Sequence, residues 1–79
     1  MLLTFARDGG GLLAVHAHDV LRVERREVPD SREGAPRDAK TSRVFLKLAS
    51  EPAEYRLAHD VSAEEVVERV NAALKAEAR

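Results

Sequence analysis

Seventy-nine residues allow one domain (1–79) with a small core, because a chain of this length buries only about 60% of its unfolded surface. The absence of cysteine excludes disulfides and thiolate-bound zinc or iron–sulfur centres, and it fits a reducing, cytoplasmic setting. With 13 basic against 14 acidic residues, one Tyr, two Phe and no Trp, the chain has neither the charge nor the stacking side chains for nucleic acid. No stretch approaches the ~20 apolar residues of a membrane span, so no membrane insertion is expected. The opening MLLTFARDGGG lacks a basic start and a long apolar run, so it does not read as a secretory signal.

Short stretches of period-two alternation come first. Leu2–Arg7 sets Leu3 and Phe5 on one face and Leu2, Thr4 and Ala6 on the other. Asp8-Gly9-Gly10-Gly11 follows, and Asp-Gly ahead of a second apolar run is a strong hairpin signal. Leu12–His16 then repeats the pattern with Leu13 and Val15 inward. Ala17-His18-Asp19 reads as a turn or bulge, since Asp closes local side-chain-to-backbone turns. A third strand over Val20–Val28 is expected to turn Leu21 and Val23 inward.

From residue 29 to 42 the sequence is PDSREGAPRDAKTS, two prolines and a glycine among alternating charges, and it predicts a mobile surface loop. Arg43–Leu48 restores alternation, with Val44, Leu46 and Leu48 on one face. Glu54–Ala58 is the last strand, with Tyr55 and Leu57 inward.

The closing segment predicts a helix over 62–77. Ser62-Ala63-Glu64-Glu65 is a capping box, Val61 and Val66 sit where a hydrophobic staple forms, and the early glutamates favour the positive end of the helix dipole. Val66, Val67, Val70, Ala73 and Leu74 trace an apolar stripe, with Glu65 and Arg69 as an i,i+4 pair on the wet side. The fold expected is α+β: an antiparallel meander of four to five strands with one C-terminal helix packed on one face.

One helix covers one face of such a meander. The other face would carry Leu2, Leu12, Val20 and Phe45 beside Ala6, Ala14, Thr4, His16, Arg22 and Glu24. That is too apolar for an ordinary solvated sheet face, so Leu2, Leu12, Val20 and Phe45 are the candidate interface residues of a homo-oligomer or a complex with a protein partner.

Chemistry is sparse. His16 and His18, i and i+2 on a strand, with His59 ahead of the helix, are candidate metal ligands, but no HExxH or Cys/His framework supports them. Read as structure, His16 is a half-buried strand residue and His18-Asp19 is turn chemistry. Ser62 is claimed by the helix cap, and the other Ser and Thr hydroxyls have no placed base, so no catalytic residue is assigned. The glycine run joins two strands instead of entering a helix, unlike a phosphate loop. Arg25, Arg26, Arg32, Arg37, Lys40 and Arg43 interleave with acidic residues and read as a solvated, mixed-charge stretch.

The order strand, glycine turn, strand, polar turn, strand, hairpin, capped valine-rich helix resembles the small flagellar, swarming-motility proteins of the FlbD type and related uncharacterised bacterial or prophage proteins. The residues that carry it are Leu2-Leu3-Thr4-Phe5 before the glycines, Ala14–Glu24, and Val61-Ser62-Ala63-Glu64-Glu65-Val66-Val67-Glu68-Arg69-Val70. The chain departs from that pattern at the charged segment 29–42 and at Ala49-Ser50-Glu51-Pro52, where a tighter hairpin turn is expected. The resemblance implies an accessory protein that is not an enzyme and offers no catalytic residue; no cofactor is expected. The sequence therefore predicts a non-catalytic interaction or assembly module, with a small metal-binding protein built on the strand histidines as the alternative.

Overall fold

A computed structural model describes residues 2–78. Strand β1 (Leu2–Ala6) pairs antiparallel with β2 (Leu12–His16), and a 3-10 turn (Ala17–Asp19) leads into β3 (Val20–Pro29). Strands β4 (Lys40–Leu48) and β5 (Glu54–Arg56) follow, then helix α1 (Ala63–Glu77). The fold is α+β, with an antiparallel sheet of two strands, β1-β2, and one of three, β3-β4-β5.

The glycine turn behaves as its sequence demands. Gly9, Gly10 and Gly11 all have positive φ, 84°, 102° and 86°, a run that side chains with a Cβ oppose. The turn is closed by Arg7 N–H donating to Gly11 O (3.1 Å) and Gly10 N–H donating to Arg7 O (3.2 Å).

The single meander expected from the sequence is interrupted between β2 and β3, which do not pair. The corner between them is held elsewhere. Asp19 O accepts the Ala49 N–H at 2.8 Å, and the Asp19 carboxylate accepts from the Ser50 N–H (3.0 Å) and the Ser50 hydroxyl. The 3-10 turn is thereby tied to the β4–β5 connection, and β3 starts beside β4 instead of folding back on β2.

The two sheets meet at a short seam. Arg7 bridges Leu57, Ala58 N–H donates to Ala6 O at 2.9 Å, and Asp8 N–H donates to Arg56 O at 3.0 Å. In space the strands thus run β2-β1-β5-β4-β3, with β1 and β5 sewn at one end only. Where β1 leaves β5, α1 takes over: the Arg69 guanidinium donates to Thr4 O at 3.0 Å and lies 4.5 Å from the Phe5 ring centroid. Arg69 thus satisfies a strand carbonyl and covers an aromatic face, where the sequence pairs it with Glu65.

The core is Leu3, Phe5, Leu13, Val15, Ala17, Val44, Leu46, Leu48, Leu57, Val66, Val70 and Ala73, all buried. The inward faces expected for β1, β2 and β4 are the buried ones. Strand β3 differs because its register with β4 shifts between Val20 and Arg22. This bulge turns Leu21 outward, 66% exposed, and packs Val20 and Val23 against the core. One extra residue reverses the face of everything before it, so strict alternation misplaces Leu21 and Val20. On α1 the buried row is Val66, Val70 and Ala73 alone; Val67 and Leu74 flank it and are exposed.

Strands β3 and β4 are longer than their apolar pattern. Glu27↔Ser42, Val28↔Thr41 and Pro29↔Lys40 remain in register, so the connecting loop is residues 30–39 and not 29–42. The ladder continues past the last buried residue because backbone pairing needs no apolar side chain. The molecule is elongated, 50 × 23 × 19 Å along its principal axes.

The helix begins at its expected cap: Ser62 Oγ accepts the Glu65 N–H at 3.1 Å, and Val61 packs against the core cluster that contains Val66. Substituting Ser62→Ala is expected to cost about 0.5–2 kcal/mol, read from denaturant unfolding. A change within experimental error would mean that the cap does not anchor the helix.

Candidate functional site

The three histidines do not converge. The His16 and His18 rings are stacked, centroids 5.3 Å apart and planes inclined by 27°. His16 lies opposite Leu2 at the start of β1, whereas His59 follows Ala58, which is bonded to Ala6 at its end. That separation is roughly 13 Å along the strand. The Asp19 carboxylate is occupied by Ser50. Among the described residues no group of three or more His, Cys, Asp or Glu side chains is placed to hold a metal ion.

The four interface candidates separate into two pairs. Leu2 and Leu12 are exposed, 58% and 73%, on the outer face of the β1–β2 hairpin with Thr4, Ala6, Ala14 and His16. Val20 is packed against the core by the β3 bulge. Phe45 is half-buried under arginine: the Arg26 guanidinium carbon lies 3.9 Å from its ring centroid and that of Arg56 5.3 Å away. Val20 and Phe45 are therefore not open apolar surface.

Phe45 sits within a charged network on the outer face of β3-β4-β5. Cross-strand register aligns Arg22, Lys47 and Glu54 in one row and Glu24, Phe45 and Arg56 in the next, with Arg26 opposite Arg43 beyond. Arg22 and Arg26 both reach Glu24 (3.4 and 3.1 Å) and both reach Glu54 (3.4 and 3.0 Å), a closed ring of four charges. Burial pushes the Glu54 carboxyl up, but its bonds and charge pairing with Arg26 and Arg22 outweigh this and hold it below the usual range. Like charges directly opposite destabilise a sheet; the acidic residues offset that here.

At the distal end of this face a cleft of about 290 Å³ opens beside the sheet seam. Thr41 and Arg43 of β4 and Arg56 of β5 line it, with Asp30, Ser31 and Arg32 of the β3–β4 loop on one side and Asp8 and His59 on the other. Arg43 Nη2 donates to Asp8 Oδ1 (2.7 Å) and to Leu57 O (2.9 Å), which ties the seam to the cleft. Its side chain is only 11% exposed, and its Nε–H is buried with no hydrogen-bond partner. Arg56 Nη1 lies 3.7 Å from Asp8 Oδ2. The hydrogen bond from Arg43 holds the Asp8 carboxyl below its ordinary value.

On the loop side, Arg32 grips Asp30 with Nε and Nη2 (3.0 and 2.7 Å), and the Arg32 amide also donates to Asp30 Oδ1 (3.1 Å). These contacts lower the Asp30 carboxyl from 3.8 to about 2. Taken alone, the sequence makes Asp8 a turn signal and Arg32 and Arg43 parts of a solvated run. Their meeting requires the β1–β5 seam, which joins residues some fifty apart in the chain, and no local pattern encodes it.

Because the folded-state pKa of Asp30 lies below its ordinary value, the Asp30–Arg32 pair adds stability above about pH 4 that is lost as pH falls through about 2. Carboxyl-carbon NMR titration is expected to give Asp30 a midpoint near 2, rising toward the ordinary range in Arg32→Gln. A wild-type midpoint already in the ordinary range would contradict the contact. Compared with protein-family models, curated proteins and solved structures, the chain shows no match.

Proposed function

We propose that the chain is a non-catalytic assembly module that associates with a second copy through the outer edge of β2. The observation that carries this reading is the difference between the two open edges of the fold. Strand β3 presents Arg22, Glu24, Arg25, Arg26 and Glu27 and ends in Pro29, the charged and proline-bearing kind of edge that resists pairing. Strand β2, Leu-Leu-Ala-Val-His, carries no Lys, Arg, Asp, Glu or Pro.

The backbone directions are readable from the seam. Ala6 and Asp8 turn their polar groups to the β5 side, and Arg7 turns its own to the hairpin. By alternation Leu3 and Phe5 face β2, so Leu13 and Val15 answer them, and the N–H and C=O groups of Leu12 and Ala14 point away from β1. Among the described residues they meet no backbone partner outside the strand. Antiparallel pairing of two β2 strands about Ala14 would set Leu12 of each copy opposite His16 of the other and carry the apolar hairpin face across the symmetry axis. Leu2 would then add to the same strip. In this reading Leu2 and Leu12 are the interface, the role is that of an accessory protein as the FlbD-type resemblance implies, and the cysteine-free chain works in the cytoplasm.

Light scattering over a dilution series is expected to give a multiple of 8.7 kDa that Leu12→Lys reduces to the monomer mass. Leu21→Lys, at an exposed leucine on the other edge, is expected to leave assembly unchanged. A monomer at every concentration, or equal effects of the two substitutions, would contradict the reading.

A further inference from the structure

We infer that the cleft between the β3–β4 loop and the β1–β5 seam is a binding site for a phosphate-type oxyanion, the phosphoryl group of a small phosphate monoester. Three arginines, Arg32, Arg43 and Arg56, and one histidine, His59, line it against two carboxylates, Asp8 and Asp30. Each carboxylate is already matched inside the chain, Asp30 by Arg32 and Asp8 by Arg43. The cleft therefore keeps one positive charge in excess with His59 neutral and two with it protonated.

The donors left over point to the ligand. Arg43 is spent on one side only: Nη2 serves both Asp8 and Leu57, and its Nη1 makes no hydrogen bond among the described residues. Arg56 holds Asp8 only loosely, at 3.7 Å, so its guanidinium can turn to an anion. Among the described residues the Ser31 and Thr41 hydroxyls have no hydrogen-bond partner within the chain.

These groups come from the β3–β4 loop, from β4 and from β5, so they approach from different planes. A planar carboxylate is answered by one guanidinium fork. Donors arriving from several directions suit the oxygens of a tetrahedral anion, with serine and threonine hydroxyls completing the arginine contacts. The volume, about 290 Å³, exceeds what the anion alone fills and leaves space for a small organic group, at the lower limit of ordinary ligand clefts.

The test is an amide NMR titration of the whole chain with inorganic phosphate and with glycerol 3-phosphate, each against chloride at equal ionic strength. Saturable shifts are expected at Ser31, Arg32, Thr41 and His59, with the monoester binding more tightly than phosphate. Arg56→Gln is expected to weaken binding by on the order of tenfold, the worth of one charge-assisted hydrogen bond. Asp8→Asn, which removes the acid that competes for Arg43 and Arg56, is expected to tighten it. That gain separates an anion site from a merely structural ion-pair cluster, which Asp8→Asn would only loosen. Shifts no larger than those from chloride, or tightening absent in Asp8→Asn while its spectrum stays folded, would overturn the proposal.

Discussion

The seam between β1 and β5 is the constraint on which the rest of the structure depends. Two backbone bonds, Ala58 to Ala6 and Asp8 to Arg56, join a hairpin to a three-stranded sheet whose chain connection to it is the 3-10 corner. With that join in place, Leu3, Phe5, Leu13 and Val15 of the hairpin and Val44, Leu46 and Leu57 of the larger sheet form one apolar surface. A single helix then buries it with three side chains, Val66, Val70 and Ala73. Arg69 closes the part of the seam where strand bonding stops, on Thr4 O and the Phe5 ring. Arg43 reinforces it from the other side by donating to Leu57 O and Asp8 together.

The same join divides the outer surface into two regions of opposite character. The hairpin wing carries Leu2, Thr4, Ala6, Leu12, Ala14 and His16, with no Lys, Arg, Asp or Glu among them. The β3-β4-β5 wing carries Arg22, Glu24, Arg26, Arg43, Lys47, Glu54 and Arg56, with Arg22 and Arg26 linked through Glu24 and Glu54 and Phe45 roofed by Arg26. Exposed ion pairs of this kind add little stability one at a time. Their larger effect is on association: a charged, register-locked face and a proline-ended edge resist strand addition, whereas the hairpin wing has neither protection. The cleft lies where the charged wing meets the seam, so Asp8 of the hairpin turn lines it together with groups of the β3–β4 loop, β4 and β5.

Much of this fold was legible in the residues. Period-two alternation placed Leu3, Phe5, Leu13, Val15, Val44, Leu46 and Leu48 correctly, because each of those strands buries one face without interruption. The glycine run and the Ser62 cap were legible because both are local backbone demands. Alternation failed at Leu21 and Val20, since a one-residue bulge leaves no mark in composition. It also missed the continuation of β3 and β4 to Pro29 and Lys40, where pairing is carried by backbone alone. The helix stripe came out too wide because Val67 and Leu74 are apolar yet flank the buried row. Of the candidate interface, Leu2 and Leu12 lie outward as alternation expects, while Phe45 lies under arginine, a cover that depends on cross-strand register. The cleft was not legible, since Asp8, Arg32, Arg43, Arg56 and His59 are brought together only by long-range pairing.

The most direct test of edge pairing is hydrogen exchange at single-residue resolution on concentrated and dilute protein. The amides of Leu12 and Ala14 are expected to be protected in the concentrated sample and to exchange readily on dilution, while the outward amides of β3 stay unchanged. Equal exchange of the Leu12 and Ala14 amides at both concentrations, or new protection confined to β3, would contradict assembly through β2.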